Sequence, residues 1–124
     1  MPGRRFDQSR SAVPAARRYI VEALSAMPFD LVSTAGLLVS ELASNAVLHG
    51  GGAFDVSVEY VPDKGLVRIE VTDSGDGQPT VQAPSVTAEH GRGLLLVDKL
   101  ANAWGVQRGS TRKTVWFELV SPPA

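Results

Sequence analysis

The chain contains no cysteine. That removes disulfide cross-links, thiolate catalysis and cysteine-ligated zinc from consideration. Histidine is scarce as well: His49 and His90 stand far apart, which gives no support to a zinc site. Neither sign of charge predominates. Lys and Arg number 12 against 13 Asp and Glu, for a formal net charge of −1. The broad basic field that nucleic-acid binding requires is therefore missing. No uninterrupted apolar run approaches the ~20 residues of a membrane span. The opening, Met1 to Arg10, is polar and lacks the apolar stretch of a secretory signal. These features predict a cytoplasmic protein with no membrane or nucleic-acid partner. What the sequence does have is 44% hydrophobic and 20% charged residues in 124 positions. That is the balance of one globular domain with a real core.

Residues 1–10 read as an N-terminal arm, with a short strand around Phe6, and residues 11–124 as the domain proper. Ser11 to Met27 has helical spacing, with Val13, Ala16, Ile20, Ala23 and Leu24 on one stripe and Arg17, Arg18 and Glu22 off it. The two arginines belong to a solvated helix face or a partner surface. Pro28 marks the stop. Asp30 is placed to cap a second helix. That helix runs to about His49, where Gly50, Gly51 and Gly52 end it, and Leu31, Ala35, Leu38, Leu42 and Ala46 form its apolar stripe. Phe54 to Val61 and Leu66 to Val71 alternate as strands around the turn Asp63-Lys64-Gly65. Asp73 to Arg92 shows no period and reads as a long loop, of a kind that is usually functional or mobile. Gly93 to Ala101 predicts a short helix with Leu94, Val97 and Leu100 inward. Trp104 to Gln107 and Thr114 to Val120 predict two closing strands, with both tryptophans in the core. The fold class is α+β: a two-layer α/β sandwich with a mixed, mostly antiparallel sheet and its helices on one face.

Four segments carry chemistry. In Glu41-Leu42-Ala43-Ser44-Asn45-Ala46-Val47-Leu48-His49-Gly50, the residues Glu41, Asn45 and His49 recur every fourth position and form one polar row on a helix. A carboxylate in such a row can serve as a general base, and an amide oxygen one turn on can hold a hard cation. A plain solvated face would show the same spacing. Asp73-Ser74-Gly75-Asp76-Gly77 follows a strand. Its carboxylate can accept hydrogen bonds from a flat ligand that the glycines let approach, though short DxGxG strings also make ordinary turns. Gly91-Arg92-Gly93-Leu94 opens the predicted third helix, where free N–H groups and the helix dipole favour phosphate. Lys113-Thr114-Val115-Trp116-Phe117 puts a threonine hydroxyl at the entry of a strand. The string GxxxxGK[ST] is absent, and so is a full GxGxxG after a strand, so P-loop and Rossmann readings fail.

In this order, over nearly the whole chain, these segments resemble the GHKL superfamily of gyrase, Hsp90, histidine kinases and MutL, and within it the bacterial anti-sigma-factor serine/threonine kinases. Glu41 to Gly50 is similar to the family's N box, Asp73 to Gly77 to its G1 box and Gly91 to Leu94 to its G2 box. The Ser11 to Arg18 opening, Trp104-Gly105-Val106 and Lys113 to Trp116 are similar to the kinase branch. The resemblance implies a Bergerat-type ATP-binding fold. It implies that Asp73 holds the adenine amino group and that Gly75, Gly77, Gly91 and Gly93 frame the nucleotide, with Leu94 beside them. Asn45 would ligate Mg²⁺, Glu41 would be the catalytic base, and Thr114 would sit near the adenine. Residues 80–92 would form the ATP lid, from which Arg92 could reach the phosphates or stand in solvent. The implied function is transfer of the ATP γ-phosphate to a serine or threonine of an anti-sigma-factor antagonist, with sequestration of a sigma factor. Dimers are usual in the family, so a homodimer is open. A nucleotide-binding interaction module without catalysis is the competing reading. The chain has no segment like the dimerisation helix that carries the phospho-accepting histidine of sensor kinases.

Overall fold

The computed structural model describes residues 3–74 and 88–121. Three helices, α1 (Ala12–Ala23), α2 (Phe29–His49) and α3 (Ala88–Leu100), accompany five strands: β1 (Arg4–Phe6), β2 (Phe54–Val61), β3 (Leu66–Asp73), β4 (Ala103–Arg108) and β5 (Lys113–Val120). The strands form one sheet in the order β1-β2-β3-β5-β4. Every pairing between them is antiparallel, where the sequence reading allowed for a mixed sheet. Hairpins explain two of the four pairings, since β2–β3 and β4–β5 are each joined by a short turn that can only reverse the chain. In the first, Gly65 takes the left-handed conformation (φ 58°) that a side chain disfavours.

The pleat separates two faces. Val56, Val58, Val67, Ile69, Val71, Phe117 and Leu119 are buried and point to the helices. α2 lies across the middle, packed on β3 and β5, with α1 on one side and α3 on the other. The predicted stripe Leu31, Ala35, Leu38, Leu42 and Ala46 is buried throughout. By length and composition α2 could pass for a membrane span. A search for uninterrupted apolar runs overlooks it because serines and Glu41 punctuate it, and in the fold its apolar stripe is spent on the sheet.

Several boundaries move. α1 ends at Ala23, short of Met27, because Leu24 turns inward as the C-cap and its N–H bonds back to Ile20. Accordingly Ala12, Ala16, Ile20 and Leu24 are buried, while Ala23 is exposed. Pro28, in an extended conformation, precedes the first turn of α2, so Asp30 lies within that turn and is not the cap. There its charge still suits the helix dipole. α3 starts at Ala88, five residues before Gly93. Within it Val97 is buried but Leu100 is exposed. β1 is one of the sheet's two edge strands, and Phe6 stacks on Phe54 and meets Tyr19 of α1 edge-on. Trp104 packs against the core and donates through Nε1 to Asp98 of α3 at 2.9 Å. Trp116 faces away from the helices, in the same row as Glu70.

Candidate nucleotide site

The polar residues gather where the C-terminal end of α2 meets the ends of β3 and β5. Asp73 is the last residue of β3 and continues the buried alternation Val67, Ile69, Val71. It is the one buried polar or charged side chain among the described residues, 4% exposed. The end of α2 covers it: a Cβ placed on Gly50 would lie 3.4 Å from the Asp73 Cβ. Gly50 closes the helix by donating its N–H to the Ala46 carbonyl at 2.9 Å.

Glu41 and Asn45 lie on a flank of α2. Gly36 marks the opposite side, since a Cβ there would meet Val21 and Arg17 of α1 at 3.2 and 3.4 Å. Five and nine residues further along an α-helix correspond to turns of roughly 140° and 180°. Glu41 and Asn45 therefore face away from α1, on the α3 side, and both are half-buried. His49, the third member of the row, is exposed at the helix end.

The other predicted residues fare differently. Gly91, Arg92, Gly93 and Leu94 do not open α3. The helix begins at Ala88, so its first four N–H groups are those of residues 88–91, and Gly93 lies inside. Ala88 and Glu89 are good helix formers and carry the helix back through the glycines, each of which costs about 1 kcal/mol relative to alanine. Leu94 is half-buried and packs against the core. The side chain of Arg92, and Gly75 and Gly77 with most of the predicted lid, fall outside the described residues. Thr114 is not on the Asp73 face. It pairs with Thr72, and the two hydroxyls share a hydrogen bond of 2.7 Å on the open side of the sheet. The residue opposite Asp73 is Lys113.

Matching against known families decides the class. Residues 6–119 match the histidine kinase-like ATPase domain. The chain belongs to this family. Histidine kinase-like ATPase domains bind ATP, and the fold supports a kinase-type enzyme in general. An uncharacterized protein of Streptomyces coelicolor is 33% identical over 88 residues, covering 68% of this chain and 84% of its own. The solved RsbU and RsbW domains of Rv1364c from Mycobacterium tuberculosis match 100% of this chain and 34% of theirs, at TM-score 0.70 and 22% identity. The blue-light activated histidine kinase EL346 of Erythrobacter litoralis matches 77% of this chain and 32% of its own, at TM-score 0.63 and 26% identity. The chain thus spans about a third of these solved proteins.

The residues of this histidine kinase-like ATPase domain fit Mg-ATP. Magnesium takes oxygen donors and usually only one or two from protein, the rest coming from phosphate and water. The half-buried Asn45 amide, on the α3 side of α2, would offer such a donor. Among the described residues no group of three His, Asp or Glu forms a ready-made cage. The buried Asp73 carboxylate suits a base edge bearing an N–H donor.

One residue escaped the sequence reading. Gln8 donates from Nε2 to the carbonyls of Val47 and Gly50, at 3.0 and 2.8 Å, and so caps the end of α2 beside the site. Its partners are 39 and 42 residues away, and no local pattern signals them.

Proposed function

We propose that this domain is a protein serine/threonine kinase of the anti-sigma-factor type. It would transfer the γ-phosphate of Mg-ATP to a serine or threonine of an antagonist protein, and would sequester a sigma factor when the antagonist is not bound. The observation that carries the reading is the division of labour around α2. A buried carboxylate, Asp73, lies beside the C-terminal end of the helix, and a half-buried carboxylate and amide, Glu41 and Asn45, lie on its α3 side. The first can read a base, and the second pair stands where phosphates and an acceptor hydroxyl could reach. The RsbW domain of Rv1364c shares the fold, which supports the anti-sigma branch. A cytoplasmic location and homodimerisation accompany this reading.

Phosphoryl transfer relies on positioning and charge stabilisation more than on covalent chemistry by the protein. Bound Mg²⁺ supplies neutralisation of the phosphate charge. Asn45 would hold it, and Glu41 would accept the proton of the attacking hydroxyl. Glu41→Gln keeps size and hydrogen bonding but removes the base. It should leave ATP affinity nearly unchanged and slow transfer by roughly 10²–10⁴-fold. Asn45→Ala should lose Mg-dependent binding and transfer together. The assay uses labelled ATP and an antagonist obtained by co-purification. Wild-type protein that binds both Mg-ATP and antagonist yet transfers nothing would overturn the kinase and leave a nucleotide-gated binding module. Transfer by Glu41→Gln at the wild-type rate would overturn only the assignment of the base.

A further inference from the structure

We propose that Gln8 is a positioning residue of the nucleotide site, one that sets the affinity for ATP by clamping the last turn of α2 beside Asp73 without itself touching nucleotide. The inference rests on the ATP-binding reading above and gives the N-terminal arm a part in it. The last four carbonyls of an α-helix have no partner within the helix. In α2 they belong to Ala46, Val47, Leu48 and His49. Gly50 serves the first, donating its N–H to the Ala46 carbonyl at 2.9 Å. The second is served from 39 residues away. Gln8 Nε2 donates to the Val47 carbonyl at 3.0 Å and to the Gly50 carbonyl at 2.8 Å. A side-chain amide nitrogen carries two hydrogens, and here both are engaged. One bond goes to the helix and the other to the residue that ends it, so the amide ties the last turn to its exit.

The clamped segment borders the site. Gly50 is so closely packed that a Cβ there would come within 2.5 Å of the Ala46 carbonyl oxygen and 3.4 Å of the Asp73 Cβ. Asn45 lies little more than one turn before Gly50, in the same stretch of helix. Movement of the helix end would therefore shift Gly50 against Asp73. The arm is built to hold Gln8 in place from both sides. Before it, Phe6 is buried, stacks on Phe54 and meets Tyr19 edge-on, and Phe54 pairs in turn with Asp73. After it, the Ser9 hydroxyl donates to the Asp7 carboxylate at 2.7 Å, and the Ala12 N–H donates to the Ser9 carbonyl at 3.0 Å. Gln8 itself is exposed and adds nothing to the apolar core. Its loss should open the helix end locally and leave the sheet intact. Molecules with the end released lack the border beside Asp73, so apparent affinity falls with the fraction that stays clamped.

The test measures Mg-ATP affinity by calorimetry on the full chain, for wild type, Gln8→Ala, Gln8→Glu and Gln8→Lys. Gln8→Ala should weaken ATP by about three- to tenfold. Gln8→Glu keeps the size but presents only acceptors to two carbonyls, and should weaken ATP at least as much. Gln8→Lys restores donors and sets a cation at the helix C-terminus, and should recover most of the wild-type affinity. Amide exchange followed by NMR separates this role from a general loss of stability. In Gln8→Ala the Gly50 N–H should exchange faster than in wild type and slow again at saturating Mg-ATP, while Ile69 and Phe117 in the sheet keep their wild-type protection. The inference is overturned if Gln8→Ala or Gln8→Glu binds ATP as wild type does, or if Gln8→Lys is no better than Gln8→Ala. It is also overturned if the sheet amides lose protection together with Gly50. Wild type that binds no Mg-ATP would overturn the ATP-binding reading itself, whereas wild type that binds, with variants that match it, overturns this inference alone.

Discussion

The two faces of one sheet are built from the same strands by opposite means. On the helix side, Val67, Ile69 and Val71 of β3 and Phe117 and Leu119 of β5 are nearly inaccessible to water. Their contribution is burial, at about 25 cal/mol per Å² of apolar surface. On the open side the intervening residues pair. Arg68 donates to Glu70 and Glu118 at 2.9 and 3.0 Å and lies 4.1 Å over the Trp116 ring. Burial, the largest single influence on this guanidinium, lowers its pKa, and the two carboxylates outweigh it and raise the pKa overall. The alternation of β3 ends on a different kind of residue. At the last row of β3 the helix side still buries its residue, but that residue is Asp73. A buried carboxylate stabilises a fold less well than a valine would, and Asp73 is the residue proposed above to read the base.

The comparison can be broken most sharply on β5, where neighbours in sequence serve opposite faces. Phe117→Ala should cost about 3–5 kcal/mol, the usual effect of removing a buried aromatic ring. Trp116→Ala, one residue away, should cost no more than about 2 kcal/mol, because its ring is only half-buried and sits in a cation–π pair. Urea denaturation of the two variants measures the gap. Equal losses would show that the open face is as much a core as the covered one.

Asp73→Asn asks whether the buried carboxylate serves the ligand or the fold. ATP affinity should fall by roughly 1–3 kcal/mol, since an amide in place of the carboxylate leaves a buried partner mismatched. Calorimetry giving the same affinity in wild type and variant would remove Asp73 from the base site.

Gly105 tests the open face on its own. A Cβ there would come within 2.9 Å of Trp116 Cζ2 and Nε1, so the indole packs flat on the bare backbone of β4. Gly105→Ala should tilt the ring away from Arg68 and cost about 1 kcal/mol, at the low end for overpacking because the ring can move toward solvent. A change in tryptophan emission with a small fall in melting temperature is the expected record. Unchanged fluorescence would show that the ring does not rest there.

Much of this architecture is legible in the sequence, and what is not has definite physical causes. The stripe from Leu31 to Ala46 and the alternations in β2 and β3 follow local periods that burial enforces, so they read true. The position of β5 between β3 and β4 depends on pairing partners some 50 residues apart, such as Arg68 and Glu118, and no local period encodes it. The face that Thr114 occupies was not legible either, since its hydroxyl bonds to Thr72 on the open side. A hydroxyl beside a strand entry matched the expected chemistry, but the two-residue period from Phe117 and Val115 assigns the helix side to Lys113. The ends of α1 and α3 moved because capping is decided by a few weak contacts. Gln8 was invisible because its role exists only once β1 has been added to the sheet.

The smallest effect concerns the rim of the open face, where Asp55 joins three elements. Arg5 of β1 donates to it at 3.1 and 3.3 Å, and Arg112, from the turn between β4 and β5, donates at 2.7 Å. The hydrogen bond from Arg5 is the main cause that holds the Asp55 carboxyl below its ordinary value of 3.8; partial burial opposes it and Arg112 adds to it. The sign follows from linkage. A carboxyl whose pKa is lower in the folded than in the unfolded state contributes stability that is complete above the unfolded value. That contribution is lost as pH falls through the folded one. Wild type should therefore melt slightly higher than Asp55→Asn at neutral pH, and the difference should close as pH drops below the ordinary carboxylate value near 3.8. Both arginines are well exposed, at 66% and 46% of their side-chain surface, so the neutral-pH difference should also shrink when salt is raised to about 1 M, where the Debye length is only about 3 Å. A difference that persists at low pH or in high salt would mean that Asp55 acts through packing, and the open rim would then have to be grouped with the covered face.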